Sequence, residues 1–179
     1  MKYYAIQVKT RSEEKFIKIF QCEHPEVAAA MYFPKREVIE KRMGKKEHKI
    51  LPVFPGYLFI EIADDVDIHQ YHWTFRKTDG FFRFLKSNQN ISRFSGHDLE
   101  IILHFIKRPS SLAGISKVFF NENDRIVVVS GAMAGFEGKI VKINKRKGRA
   151  KVNLDLCGEN FAFDLSFETI ETRGDHYGK

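Results

Sequence analysis

Two prolines interrupt the most constraining stretch of this chain, Ile50-Leu51-Pro52-Val53-Phe54-Pro55-Gly56-Tyr57-Leu58-Phe59-Ile60. Each proline removes a backbone donor, fixes φ and drives the preceding residue into extended geometry, so no helix crosses the segment. The chain must arrive as an irregular sheet edge and then run as a dense apolar strand from Tyr57 to Ile62. Phe54 and Tyr57 stand at the mouth of that strand.

Around this anchor, strand and helix signals alternate. Lys2 to Val8 is rich in β-forming residues, and Thr10-Arg11-Ser12-Glu13 has capping-box spacing ahead of Phe16, Ile17, Ile19 and Phe20. Ala28 to Phe33 and Lys35 to Met43 read as extended, broken by Pro34, with a charged tip at Gly44. Asp64 and Asp65 open a helix with Ile68, Tyr71, His72 and Phe75 on one face, ending before Gly80. Phe81 to Leu85 is a short strand. Ser95 opens a helix carrying Leu99, Ile102, Leu103 and Ile106, and Pro109 stops it.

This alternation predicts an α/β sandwich over residues 1–108, a linker over 109–120, and then a change of character. Arg125 to Val129, Lys139 to Asn144, Arg149 to Leu156 and Phe161 to Leu165 are short strands separated by glycine-bearing turns. They predict a small closed SH3-like β-barrel over 121–173, with a frayed tail at 174–179. The fold class is α+β.

The 43% hydrophobic content of the 179 residues, with 17 Phe, excludes wholesale disorder. Cys22 and Cys157 form no disulfide framework or zinc-binding pair, which points to a reducing cytoplasm. The N-terminus has no long apolar h-region and no run of about 18 apolar residues occurs, so neither secretion nor membrane insertion is expected. Asp65, His69 and His72 are the best metal constellation available, but His72 falls on the apolar face and no fourth ligand is evident. No phosphate loop, nucleophile elbow or paired carboxylates appear. No enzyme activity, metal or cofactor is expected.

The net charge of +7 favours a polyanionic neighbour, and the excess is clustered. Lys41, Arg42, Lys45, Lys46 and Lys49 crowd the hairpin tip. Lys139, Lys142, Lys145, Arg146, Lys147, Arg149 and Lys151 straddle a tight turn with no acid among them. Such groups hold phosphate by charge without reading sequence, and a solvated charged tip is the other reading of the first cluster.

The stretch Asp124 to Ile140, with Gly131, Gly135, Phe136 and Gly138, resembles the KOW motif, its glycines permitting a tight turn capped by one ring. Tyr3-Tyr4-Ala5-Ile6-Gln7, Glu13-Glu14-Lys15 and Phe54-Pro55-Gly56-Tyr57 resemble the NGN domain, so nearly the whole chain is similar to the NusG family of transcription elongation factors. That resemblance implies a protein that acts by binding. An apolar concave NGN face docks on the clamp helices of the RNA polymerase largest subunit, bridges the cleft over DNA and suppresses pausing. It implies Tyr4, Phe54 and Tyr57 on that surface, with core packing as the other reading of the rings. It lays the hairpin lysines along upstream DNA.

Where the housekeeping pattern has a Phe-Gly-Arg step and a following Thr-Pro, this chain has Cys157-Gly158-Glu159-Asn160. It thereby looks more like a specialised paralogue similar to the LoaP-type antiterminators, whose KOW domain engages a nascent RNA hairpin. Lys142, Lys145, Arg146, Lys147, Arg149 and Lys151 are the RNA-binding candidates. The expected protein is a cytoplasmic monomer. A housekeeping factor coupling polymerase to Rho or the ribosome, and a KOW-bearing RNA-binding protein that does not act on polymerase, remain the alternatives.

Overall fold

Every residue of the strand that follows Gly56, β5 (Tyr57–Ile62), is buried, because this strand is covered on both faces. The computed structural model describes residues 1–43, 45–85, 91–156 and 158–171, apart from the side chains of Lys41 and Arg42. Gly44, Cys157 and the tail at 174–179 therefore lie outside the described residues. Two units form. One comprises Met1–Lys35, Pro52–Leu112 and Asp155–Glu159; the other comprises Arg36–Leu51, Ala113–Leu154 and the chain from Asn160.

In the first unit, β5 lies between β2 (Ala30–Tyr32) and β1 (Lys2–Val8), and β6 (Phe81–Phe84) closes the sheet in the order β2-β5-β1-β6. β1 and β5 are antiparallel, with Tyr4 opposite Ile60 and Ile6 opposite Leu58. Alternation sends Tyr4, Ile6, Val8, Leu58, Ile60 and Ile62 to one face. There they meet Phe16 and Phe20 of α1 (Glu13–Glu23) and Phe75 of α2 (His72–Lys77). Phe20 and Phe75 stack with centroids 4.3 Å apart. On the other face, Phe59 meets Phe54 and Phe94, and Phe54 meets Phe105 of α3 (Gly96–Ile106).

Two helices depart from the sequence reading. The Asp64–Asp65 segment does not open one continuous helix: a 3-10 turn covers Ile68–Tyr71, its amide at His69 capped by Asp67, before α2 begins. In α3 the buried positions are Ile101, Ile102, Phe105 and Ile106, while Leu99 and Leu103 are half-buried. The helix turns its larger ring, Phe105, toward Phe54, and packing area rather than aliphatic spacing sets its rotation.

The second unit holds a five-stranded half-barrel in the order β10-β11-β12-β8-β9, namely Ile140–Asn144, Arg149–Leu156, Glu159–Thr169, Ser116–Phe120 and Ile126–Ser130. β8 falls inside the stretch expected as a linker. Its Ser116 and Val118 are wholly buried, and it pairs in parallel with β12, Phe167 opposite Ser116. Pro109, Ser110 and Ser111 open that stretch with a linker's polarity, whereas the Ser116/Val118 alternation is that of a strand.

A hairpin of β3 (Lys35–Arg42) and β4 (Lys45–Pro52) joins β7 (Leu112–Ala113) in a three-stranded sheet. Three bonds gather the hairpin into the second unit. The Arg36 guanidinium donates to the Asp164 carbonyl, the Ile39 amide donates to Ser166 Oγ at 3.1 Å, and Arg149 donates to the Ile39 carbonyl at 2.7 Å.

Candidate functional site

The Phe-Pro-Gly-Tyr step is held from below by a buried carboxylate. Glu13, 4% exposed, accepts the Gly56 amide at 2.7 Å, and the Gly56 carbonyl accepts the Val8 amide at 2.8 Å. Gly56 has φ +81°, and a Cβ there would lie 3.0 Å from Thr10 Oγ1. Glu13 thus does not close the expected capping box. Ser12 is the N-cap of α1 and makes no side-chain cap bond. A buried backbone donor is costly to leave unpaired, and Glu13 serves it in preference to a cap that solvent can replace.

Tyr4, Phe54 and Tyr57 are not exposed rings. Tyr4 is 6% exposed and lies in the α1/α2 core, on the sheet face opposite Phe54. Phe54 is fully buried, edge-on to Phe59 and Phe105 at centroid distances of 5.4 and 5.7 Å. Tyr57 is 7% exposed, and its hydroxyl donates to the Glu159 carboxylate. Burial, then the bond to Glu159, pushes the Tyr57 hydroxyl up to about 12. Arg83 bridges Glu159 at 2.9 Å and Gln7 Oε1 at 2.8 Å. The expectation of a shared ring surface fails because strand alternation separates Tyr4 from the other two, and the helices cover both faces.

Among the described residues of this unit, the exposed large hydrophobic rings are Trp73 and Phe82, at 63% and 61%. Trp73 carries Arg76 over its face at 5.0 Å, and Phe82 lies on the edge strand β6. Sequence spacing does not single them out, since each lies two positions before a buried ring, Phe75 and Phe84. A further cluster went unread because its members are far apart in the chain. The Glu61 carboxylate accepts from Tyr32 at 2.7 Å and from Lys107 at 2.8 Å, beneath the Lys107 contacts with the Tyr3 and Tyr32 rings. Burial raises the Glu61 carboxyl, but these hydrogen bonds outweigh it and hold the group below its ordinary value.

In the second unit, Asn144 and Arg149 face each other across the β10–β11 turn, and Lys142 faces Lys151. A hollow of about 380 Å3 is lined by Lys46, Lys145, Arg146 and Lys147, and one of about 180 Å3 by Lys142, Lys147, Arg149 and Lys151. Lys147 belongs to both. Lys145 pairs with Asp124 and lies 4.0 Å from the Phe120 ring centroid. Arg149 departs from the outward RNA-facing role expected of it. Its side chain is only 18% exposed, and it is spent on the Ile39 carbonyl and on Glu40 at 3.6 Å.

Of the hairpin cations, Lys49 pairs with Glu40, whereas Lys45 and Lys46 are exposed. The side chains of Lys41 and Arg42 lie outside the described residues. The turn glycines are set by contact as well as conformation. Gly131, at φ +102°, would place a Cβ 2.5 Å from Ser116 Cα, and Gly148, at φ +62°, one 2.7 Å from the Phe167 carbonyl oxygen. Gly135 has φ +83° with open space around it, Phe136 is buried, and Gly138 needs no left-handed backbone.

Asp65, His69 and His72 form no site. His69 is turned to Asp67 at 2.8 Å, and His72 stacks on Phe84. Among the described residues no group of three or more His, Cys, Asp or Glu side chains is placed to hold a metal ion. Among them, too, no helix is long and apolar enough to cross a membrane.

Comparison with known proteins finds a family match in each half of the sequence. The family described as "Transcription termination factor nusG" matches residues 1–103, and the KOW motif matches residues 122–153. The curated "Transcription termination/antitermination protein NusG" of Thermus thermophilus is 29% identical over 185 residues, covering 95% of this chain and 97% of that protein. The protein of the same description from Helicobacter pylori 26695 is 25% identical, covering 96% and 98%. A solved chain titled "Domain interaction in Thermotoga maritima NusG" aligns at 18% identity and a TM-score of 0.46, over 92% of this chain and 93% of that one. The match across more than half of the chain settles membership: this chain belongs to the NusG family of transcription termination/antitermination factors.

Proposed function

We propose that this protein is an operon-specific antiterminator that rides on RNA polymerase and is recruited by a nascent RNA hairpin bound by its KOW unit. The observation that carries the reading is the β10–β11 turn. There Lys142, Arg146, Lys147 and Lys151 are exposed, and no carboxylate pairs with them among the described residues. Unneutralised cations on a paired strand hairpin bind phosphate by charge and release counterions on doing so. Glu159 favours the specialised reading further. It stands near the place of a basic family residue and is already engaged by Tyr57 and Arg83.

The first unit docks on the polymerase clamp helices. Tyr57 stands at the rim of that surface, Phe54 supports it from within, and the exposed ring of Phe82 on the edge strand supplies apolar contact. Binding the closed clamp more tightly than the opened one shifts polymerase away from paused states by that differential affinity alone. The mechanism is one of binding without chemistry, in the cytoplasm, by a single copy of the chain.

In vitro transcription across a terminator, with and without a leader hairpin, tests this. Readthrough should depend on the hairpin, and changing Arg146 and Lys147 together to Ala should remove that dependence. Equal readthrough on both templates would instead identify a general housekeeping factor. Capture of core polymerase should weaken in Phe82→Ala. A chain that captures no polymerase would leave only the plain RNA-binding reading.

A further inference from the structure

The larger hollow of the second unit joins residues that the sequence keeps apart. Lys46 comes from β4 of the hairpin, and Lys145, Arg146 and Lys147 come from the β10–β11 turn, yet all four line the same space. The smaller hollow takes over at Lys147 and continues to Lys142 and Lys151. Lys46, Lys142, Arg146, Lys147 and Lys151 are all exposed, and among the described residues none has a carboxylate partner. Glu168 lines the larger hollow and Asp164 the smaller, so each side holds a cationic surplus. Like charges gathered along a concave surface repel one another and concentrate an anion there.

The chemistry of the lining narrows the anion. Phe167 lines the larger hollow and is 3% exposed, so it offers no face on which a base stacks, and the residues lining the smaller hollow include no aromatic. The hollows offer charge in a row, which suits successive phosphates of a polynucleotide rather than its bases. We infer that Lys46 and the Lys145–Lys147 turn grip the same RNA backbone, which passes from the larger hollow to the smaller across Lys147. This inference rests on the reading of the second unit as an RNA binder. It moves Lys46 from a separate DNA-facing loop into that RNA site.

The test uses the full chain and three labelled probes: an oligouridylate, an RNA stem-loop and a DNA duplex of the stem sequence, each titrated at several salt concentrations. With five unpaired cations, the log–log salt slope on oligouridylate should be about 3 to 4, at about 0.7 per phosphate neutralised. Lys46→Ala and Lys147→Ala should each lower it by about 0.7 and the double variant by about twice that. Lys18→Ala, exposed in the first unit, should leave it unchanged, and circular dichroism should be the same for all variants. If Lys46→Ala leaves both RNA slopes intact and lowers the DNA slope, the hairpin serves DNA and the single-site inference is overturned, while the RNA reading of the turn stands. A slope near zero on every probe, from a chain that still captures polymerase, overturns both.

Discussion

Phe54 shows how a residue that looks like an interface residue becomes a structural one. Its ring is sealed between Phe59 and Phe105, so Phe54→Ala should cost about 3–5 kcal/mol in urea denaturation, and weaker polymerase capture by that variant would report unfolding. Tyr57 gives a pH signature. Its hydroxyl ordinarily ionises near 10 but near 12 when folded, so the stability it contributes is complete below pH 10 and is lost as pH rises through 12. Alkaline unfolding of Tyr57→Phe should lack that loss, and the difference in phenolate absorbance between the two proteins should titrate near 12. The turn glycines separate conformation from contact. Gly135→Ala should cost about 1–2 kcal/mol for the left-handed backbone, and Gly148→Ala about 2–4 kcal/mol because its Cβ also meets the Phe167 carbonyl. Chemical denaturation of the two variants decides it, and equal costs would remove the contact term. That Gly131 and Gly135 mark a turn was legible in their spacing. That Gly148 is obligatory was not, since the backbone it meets comes from β12.

Among the elements, the strands were the most legible. β1, β5 and β6 fall where β-forming residues cluster, and the prolines place the start of β5 to within a residue. α1 was legible as a helix but not in its first turn. Glu13, expected to cap, reaches Gly56 at a separation of 43 positions. Glu13→Ala should therefore cost about 1–3 kcal/mol by leaving a buried amide unpaired, while Glu13→Gln, which keeps an acceptor oxygen, should retain most of that stability. Thermal unfolding of the pair measures the difference, and identical losses would mean that the carboxylate acts otherwise. β8 is a strand where the polar composition suggests a linker, and α3 is rotated by its aromatic packing. In both cases local polarity or aliphatic spacing gave way to the surface that a neighbouring element supplied.

For the whole molecule, the order of residues in the chain is not the order of the two units. The hairpin Arg36–Leu51 belongs to the second unit, and Asp155–Glu159 to the first. A fragment beginning at Ala113 lacks the hairpin backbone that accepts from Arg149 and the Ile39 amide that serves Ser166. It should melt several degrees below the same unit in the full chain, as hydrogen exchange on β11 and β12 would report. Unchanged protection in the fragment would show that the hairpin adds nothing to that unit. The basic site follows the same logic, since its cations are legible as two runs in the sequence but meet in one hollow.

The sequence by itself determined the family, the two-part α+β plan, the strand after the prolines and the presence of two basic clusters. Each of these is written in local composition, turn chemistry or spacing along the chain. Only the tertiary structure decided that Tyr4, Phe54 and Tyr57 are interior, that Arg149 is spent on the hairpin, and that Lys46 stands beside Lys147. Those facts depend on which surfaces meet across long separations. Burial and hydrogen-bond satisfaction there outweigh the weak preferences that any short stretch of sequence expresses.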